Sequence, residues 1–247
     1  GLCLKILCSS KIYMKKTIVV FGASSVIASE IVLLLSKQNY VIVLIGRSKH
    51  KIESLKKKVL KNNTKETKVD HFFSSLNSIN EIEKTFKWLN KKLYKPSMVF
   101  VCPGFLFKDN EPLSSKSYIE ALNINAVLPI MVTDFYNGTN TKIITLGSLF
   151  SITPRKNNYF YSYSKKIFHI YFKNMNLIDQ NENKYLFLLG PTHTPMYVGP
   201  KSFYVSSPKK IAVIIVKIIT NRRSGTHILP KAWIVFLPLI YFYFIFK

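Results

Sequence analysis

The sequence TIVVFGASSVIA occupies residues 17–28 and decides the fold class, because it joins an apolar run to a turn of small residues. The run Thr17–Phe21 is typical of a buried parallel strand. Small residues after a strand let the backbone approach a phosphate group, and the next helix offers it free N–H groups and a positive dipole end. Because Gly22 is the only glycine in this turn, the pattern also fits an ordinary strand–turn–helix connection.

Strand-like and helix-like segments alternate along the rest of the chain. Further apolar runs predict strands at residues 41–45, 97–102, 142–146, 184–189 and 226–229, and a weaker pattern predicts one at residues 68–73. Helical periodicity appears at residues 25–36, 48–61, 79–93, 117–135, 158–177 and 208–219. Strands separated by helices predict right-handed βαβ units. We therefore predict one Rossmann-type α/β domain over residues 14–230, with a doubly wound parallel sheet of about seven strands and helices on both faces.

Composition narrows the class of protein. The chain has 247 residues, with 36 Lys+Arg against 12 Asp+Glu, so its net charge is +24. Apolar residues make up 48% of it, which excludes a disordered chain. The charge fits an anionic ligand or surface, or basic residues that decorate solvated helices. The sequence has no arginine-rich arm or aromatic RNA-binding motif to accompany this charge, so nucleic acid is not the expected partner. Three scattered cysteines predict a reducing, cytoplasmic location.

The two ends of the chain differ from its centre. Residues 1–13 precede Met14, and we interpret them as an upstream extension; a signal peptide is the alternative. Residues 231–247 form an apolar, aromatic tail that Pro238 interrupts, and the run is too short to span a bilayer. Two roles fit this tail. Residues 232–247 could make a peripheral contact with the inner face of an anionic membrane, or pack in an interface between subunits.

The strongest chemical signal is the sequence YSYSK at residues 161–165. Tyr161 and Lys165 share one face of the predicted helix. An ammonium beside a phenol lowers its pKa from about 10, so that the phenol can exchange a proton with a carbonyl or alcohol oxygen. Tyr-x-x-x-Lys occurs twice more in the chain. Only Tyr161 has a hydroxyl residue, Ser148, thirteen positions before it and just after a predicted strand.

With these residues the chain, from about residue 16 to 229, resembles the short-chain dehydrogenase/reductase family. The resemblance implies an NAD(P)-dependent oxidoreductase that reduces a ketone to a secondary alcohol, or catalyses the reverse. It implies that Tyr161 gives or takes the proton, while Ser148 hydrogen-bonds the reacting oxygen. Lys165 would lower the pKa of the tyrosine and hold the nicotinamide ribose. Asn125 would hold a water that links Lys165 to solvent, with Asn123 as the alternative.

The resemblance also implies where the cofactor binds. Arg47 follows the second strand, at the place where an acidic residue would bind the ribose of NAD. Its cation favours NADP, with NAD still possible, although Arg47 could instead be solvated or stack on adenine. The other cofactor-binding candidates lie in the first turn, in the loop after the fourth strand, and in residues 190–196: Gly22, Ser24, Ser25, Val26, Ile27, Gly104, Gly190, Thr192 and Thr194. The dispersed histidines predict no metal site.

Departures from the family pattern resemble one subgroup, reductases similar to decaprenylphosphoryl-2-keto-ribose reductase. Residues 22–28 read GASSVIA in place of a three-glycine turn, and residues 155–161 read RKNNYFY. Residues 230–233, PKAW, and the later Leu237-Pro238 pair also match. The subgroup implies a sugar or polyprenyl-phosphate-linked sugar as substrate. The alternatives are a soluble ketone or 3-ketoacyl thioester, and a non-catalytic Rossmann scaffold that binds nucleotide or RNA. The family also implies a homo-oligomer.

Overall fold

The structure, a computed structural model, describes residues 16–62, 67–106, 114–154, 158–178, 183–197, 205–221 and 224–235. Three expectations fall outside these residues: the extension at residues 1–13, the residues 155–157 before the tyrosine, and the tail from residue 236 onward. In the described part of the chain, no helix has both the length and the apolar character that a membrane crossing needs.

Strands and helices alternate along the described residues. The strands are β1 Thr17–Phe21, β2 Val41–Gly46, β3 Lys68–Phe73, β4 Pro96–Val101, β5 Lys142–Ser148, β6 Lys184–Leu189 and β7 Gly225–Leu229. The α-helices are α1 Val26–Leu35, α2 Lys49–Lys61, α3 Ile79–Lys91, α4 Ser115–Leu122, α5 Leu128–Phe135, α6 Tyr159–Ile178 and α7 Pro208–Asn221.

The seven strands form one parallel sheet in the order β3-β2-β1-β4-β5-β6-β7. The chain builds outward from β1 to β3 and then crosses back to pair β4 with the other side of β1. This change of direction leaves a crevice at the carboxyl ends of β1 and β4, where open α/β sheets bind ligands. The predicted doubly wound parallel sheet is confirmed.

Strand residues alternate between two cores, which is why helices cover both faces. In β1, Ile18 and Val20 belong to the core shared with α1, α2 and α7. Val19 and Phe21 belong to the core shared with α3 and α5. Strands that are buried on both faces need apolar residues at every position, so continuous apolar runs encode central strands such as β1 and β2. The edge strand β3 is only partly buried and carries polar residues.

The prediction of one helix over residues 117–135 is wrong in one respect, because this segment is not a single α-helix. A π-helical turn, Asn123–Val127, separates α4 from α5, and the Leu128 amide donates to the carbonyl of Asn123, five residues earlier. Pro129 has no N–H, so it cannot give the α-helical bond to the carbonyl of Asn125. Helical periodicity does not reveal such a turn, yet π turns occur frequently at functional sites.

Candidate functional site

Four polar side chains meet near the carboxyl ends of β4 and β5. Ser148 is the last residue of β5, Tyr161 and Lys165 lie one turn apart on α6, and Asn125 lies in the π-helical turn. Ser148, Lys165 and Asn125 are 6%, 7% and 0% exposed. The structure therefore brings together the four residues that the sequence singled out as catalytic, three of them almost fully buried and Tyr161 half-buried.

Ser148 and Tyr161 are joined by a side-chain hydrogen bond. Burial raises the pKa of the Tyr161 phenol, and the hydrogen bond with Ser148 lowers it. The sequence led us to expect that Lys165 would lower this pKa, whereas in the structure the opposing influence comes from Ser148. The Ser148 hydroxyl also accepts from the Phe150 amide at 3.3 Å, which orients it at the end of the strand.

The Lys165 ammonium is held between two strand ends. Its Nζ donates to the carbonyls of Pro103 and Leu146, each at 3.4 Å. Burial lowers the pKa of Lys165 to about 8, while its charge interaction with Cys102 acts in the opposite direction. The amine is therefore still largely protonated at neutral pH, one helical turn along α6 from Tyr161.

Asn125 uses its side chain to hold the loop after β4. Its Oδ1 accepts from the Phe105 amide at 3.0 Å, and its Nδ2 donates to the Phe105 carbonyl at 2.8 Å. The same Nδ2 donates to Ser164 Oγ at 3.0 Å, beside Lys165 on α6. The amide thus clamps the Gly104–Phe105 backbone to α6, a role that the sequence did not predict. The alternative candidate Asn123 instead donates to the Asn77 carbonyl at 2.8 Å.

The turn after β1 fits the pyrophosphate of a dinucleotide. Gly22 has φ +75°, and a Cβ there would lie 2.5 Å from the backbone nitrogen of Pro103. The turn and the loop after β4 are therefore in contact across the crevice, and only glycine fits between them. Among the residues that the structure describes, the buried Oγ of Ser24 has no hydrogen-bond partner. A buried hydroxyl without a partner is costly, and an anionic oxygen would satisfy it.

The start of α1 supports the same fit. The side chain of its N-cap, Ser25, makes no capping hydrogen bond, whereas α2 and α3 are capped by Ser48 and Ser78. Free N–H groups at a helix start suit an anion. Val26 is exposed there, but the Ile27 side chain packs into the core, so Ile27 could serve a ligand through its backbone alone.

Arg47 lies at the other end of the crevice, directly after β2. Its side chain is mostly exposed, and its Nη1 is 4.0 Å from Oε1 of Glu120 on α4. Arg47 is therefore free to turn toward a phosphate, but it already faces an acidic group. Sequence reasoning missed Glu120, because no local pattern relates a residue of α4 to the end of β2.

The remaining cofactor-binding candidates lie on loops after β4 and β6. A Cβ on Gly104 would lie 3.6 Å from the Cε of Met196, so these loops touch. A Cβ on Gly190 would lie 2.6 Å from the indole nitrogen of Trp233, so the indole packs directly on this glycine. Trp233 is a further site neighbour that the sequence did not predict.

Two threonines shape the loop after β6. Thr192 Oγ1 donates to the Gly190 carbonyl at 3.0 Å, and Thr192 forms an isolated parallel bridge with Ser206. The Thr194 carbonyl accepts from the Tyr197 amide at 2.9 Å. These bonds fix the backbone of the loop, and they leave the Thr194 side chain half-buried at its surface.

Comparisons with known proteins agree with this geometry. A family model described as short chain dehydrogenase matches residues 16–196. A search of curated proteins finds no match.

Solved structures share the fold at low sequence identity. An alcohol dehydrogenase from the archaeon Thermococcus sibiricus, complexed with 5-hydroxy-NADP, has a TM-score of 0.74 at 18% identity, covering 87% of this chain and 96% of that one. A short-chain dehydrogenase from Sphingobium yanoikuyae, in complex with NADPH, has a TM-score of 0.72 at 15% identity, covering 87% and 88%. L-Sorbose reductase from Gluconobacter frateurii, complexed with NADPH and L-sorbose, has a TM-score of 0.73 at 13% identity, covering 87% and 95%.

Proposed function

This chain belongs to the short-chain dehydrogenase family, a family of NAD(P)-dependent oxidoreductases, and from that premise we propose that it interconverts a ketone and a secondary alcohol with NADP(H) as hydride carrier. The observation that carries the proposal is the hydrogen-bonded pair of Ser148 and Tyr161, with the buried Lys165 one turn away. A hydroxyl, a phenol and an ammonium in this arrangement suit proton transfer to a carbonyl oxygen.

Each of the four site residues has a defined part in the proposed reaction. In the reductive direction Tyr161 Oη gives its proton to the substrate oxygen, and Ser148 Oγ hydrogen-bonds the same oxygen. Lys165, one turn along α6, would favour the phenolate that remains through its positive charge. Asn125 holds the loop that borders the site. The nicotinamide, when bound, supplies or accepts the hydride.

The choice of NADP rests on the corner after β2. That strand ends in Gly46 and Arg47, without the carboxylate that would accept hydrogen bonds from the ribose of NAD. A guanidinium suits a phosphate at this place. Two of the structural relatives named above were solved with NADPH, and a third with a derivative of NADP, which supports the same choice. NAD remains the alternative cofactor.

For the substrate we propose a sugar, free or linked to a polyprenyl phosphate. Support comes from the sequence resemblance to the keto-ribose reductase subgroup and from the net charge of +24, which would attract a phosphate-bearing carrier. One structural relative binds L-sorbose, a sugar. A soluble ketone or a 3-ketoacyl thioester is the alternative within the same reaction class.

The expected partners follow from the family resemblance and from the composition of the tail. We propose a homo-oligomer in the cytoplasm, with the apolar tail in contact with the inner face of an anionic membrane. The part of the tail from residue 236 onward lies outside the described residues, so this contact remains a prediction from its composition.

The test pairs a binding assay with a turnover assay on Tyr161→Phe. The folded wild-type chain should quench its tryptophan fluorescence on titration with NADPH, and it should oxidise NADPH with one class among keto-sugars, polyprenyl-phosphate-linked keto-sugars and 3-ketoacyl thioesters. Loss of the phenol should lower turnover at least about a hundredfold, because general acid catalysis contributes that much, and leave NADPH affinity unchanged.

Tyr163→Phe is the matched control, because this tyrosine lies half a turn away on α6 and is exposed. Its turnover should equal that of the wild type. Turnover that survives in Tyr161→Phe would show the proposed mechanism to be wrong. Folded protein that binds NADPH but turns over no carbonyl would favour the non-catalytic Rossmann scaffold, and failure to bind NADPH would remove the function altogether.

A further inference from the structure

A carboxylate faces the arginine that the proposed function assigns to NADP. The Arg47 guanidinium and the Glu120 carboxylate lie 4.0 Å apart, between the end of β2 and the helix α4. The Arg47 side chain is 68% exposed, whereas that of Glu120 is only 21% exposed. Glu120 is thus the more enclosed member of the pair, and Arg47 is the one that can reorient.

Hydrogen bonds hold this corner together. The Ser74 amide donates to the Gly46 carbonyl at 3.1 Å, which joins the ends of β2 and β3. The Asn123 side chain donates to the Asn77 carbonyl, which ties the end of α4 to the loop after β3. Glu120 precedes Asn123 by three residues and so shares its side of the helix. The carboxylate is therefore positioned by the fold beside Arg47.

The charges in this corner have opposite effects on two related ligands. A phosphate on the adenosine ribose would pair with Arg47, but it would also come close to Glu120, and two anions at short distance repel. Arg47 would have to exchange Glu120 for the phosphate. A dinucleotide whose ribose carries free hydroxyls meets no such repulsion, and Glu120 is then a hydrogen-bond acceptor that β2 itself lacks.

We propose that Glu120 reduces the preference of this site for NADP, by weakening the binding of a dinucleotide with a 2′-phosphate relative to one without it. The inference rests on the proposed function, because it concerns the same nucleotide site. Exposed ion pairs change binding constants by about two- to fivefold. Glu120 therefore moderates the preference that Arg47 creates, and NADH remains a competitor of NADPH.

The experiment compares Glu120→Gln with the wild type, because glutamine keeps the shape of the side chain and removes its charge. NADPH and NADH are titrated separately, with tryptophan fluorescence as readout, at low ionic strength. We expect the affinity for NADPH to rise about threefold and that for NADH to stay the same or fall. The gain for NADPH should shrink at high salt, because the ions screen an exposed pair.

Glu83→Gln is the control, since Glu83 is exposed on α3 and its loss changes the net charge equally. The ratio of the two affinities should not change in this variant. An unchanged ratio in Glu120→Gln, with dinucleotide binding intact, would overturn the inference and leave the proposed function standing. An equal gain in both variants would also overturn it, as a general charge effect. A folded wild-type chain that binds neither dinucleotide would overturn both.

Discussion

Lys165 is an ionisable amine with very little exposure to water, and its protonation is coupled to folding. Burial lowers its pKa to about 8 in the folded chain, whereas an unfolded lysine titrates near 10.4. Between these two pH values the unfolded chain binds a proton that the folded chain lacks. Stability therefore rises with pH across this window, and below pH 8 the buried charge costs about 3 kcal/mol.

Lys165→Met should remove this pH dependence. Methionine has a similar length and no charge. The stability of the variant relative to the wild type should therefore be most favourable below pH 8. The relative stability should then fall by about 3 kcal/mol as the pH rises to 10.5. Urea unfolding of both proteins at several pH values measures the difference between their unfolding free energies. Other titrating groups contribute equally to both proteins, so their effects cancel in this difference. A difference that does not vary with pH would contradict the assigned shift.

The turn between β1 and α1 is the element on which the nucleotide site depends. Gly22 and Gly138 both have positive φ, +75° and +71°, but their surroundings differ. A Cβ on Gly22 would overlap the backbone of Pro103, whereas a Cβ on Gly138 would meet no atom within 4 Å. The conformational penalty is thus shared by the two glycines, and the steric penalty belongs to Gly22 alone.

Gly138→Ala should cost about 1–2 kcal/mol of unfolding free energy, which is the penalty of a left-handed alanine. Gly22→Ala should cost at least about 2 kcal/mol more, because the overlap with a backbone cannot be relieved by a side-chain rotation. Chemical denaturation of both variants gives the comparison. Equal losses would mean that the loop after β4 moves aside easily, and that the two sides of the crevice are not rigidly packed.

At the scale of the whole molecule, α6 carries apolar residues that the sheet does not cover. Tyr159, Tyr163, Ile167 and Ile170 are 45–54% exposed, and Leu177 and Ile178 at the helix end are 82% exposed. They recur every three or four residues for most of the helix, so they share one side of it. An apolar patch of this kind is costly in water, and a second copy of the chain would cover it.

Ile170→Glu should therefore weaken self-association. The substitution places a charge in the exposed apolar face of α6 and lowers the association constant by at least about tenfold, because an unpaired charge in an interface is expensive. Val213→Glu is the control, since Val213 on α7 is 46% exposed outside that face. Sedimentation velocity over a range of concentrations reports the mass of each variant. A wild-type chain that stays monomeric would contradict the prediction, as would equal behaviour of the two variants.

The elements of this fold could be predicted because each leaves a local pattern. β3 and β6 begin and end where the apolar runs predict, and α2 and α7 differ from their predicted spans by one or two residues. Periodicity depends on which positions face the core, so it follows from neighbouring residues alone. The interval between Ser148 and Tyr161 could also be read directly from the sequence, as could the turn at Gly22.

The tertiary structure decided the contacts between distant segments. The pairing of Arg47 with Glu120, the hold of Asn125 on the loop after β4, and the packing of Trp233 on Gly190 each join elements far apart in the chain. No spacing rule encodes such contacts, because they depend on how the helices lie on the sheet. Amino-acid order alone thus determined the strands, most of the helices and the types of chemical group. The π-helical turn between α4 and α5, the environment of each group and with it the pKa of Lys165 came only from packing.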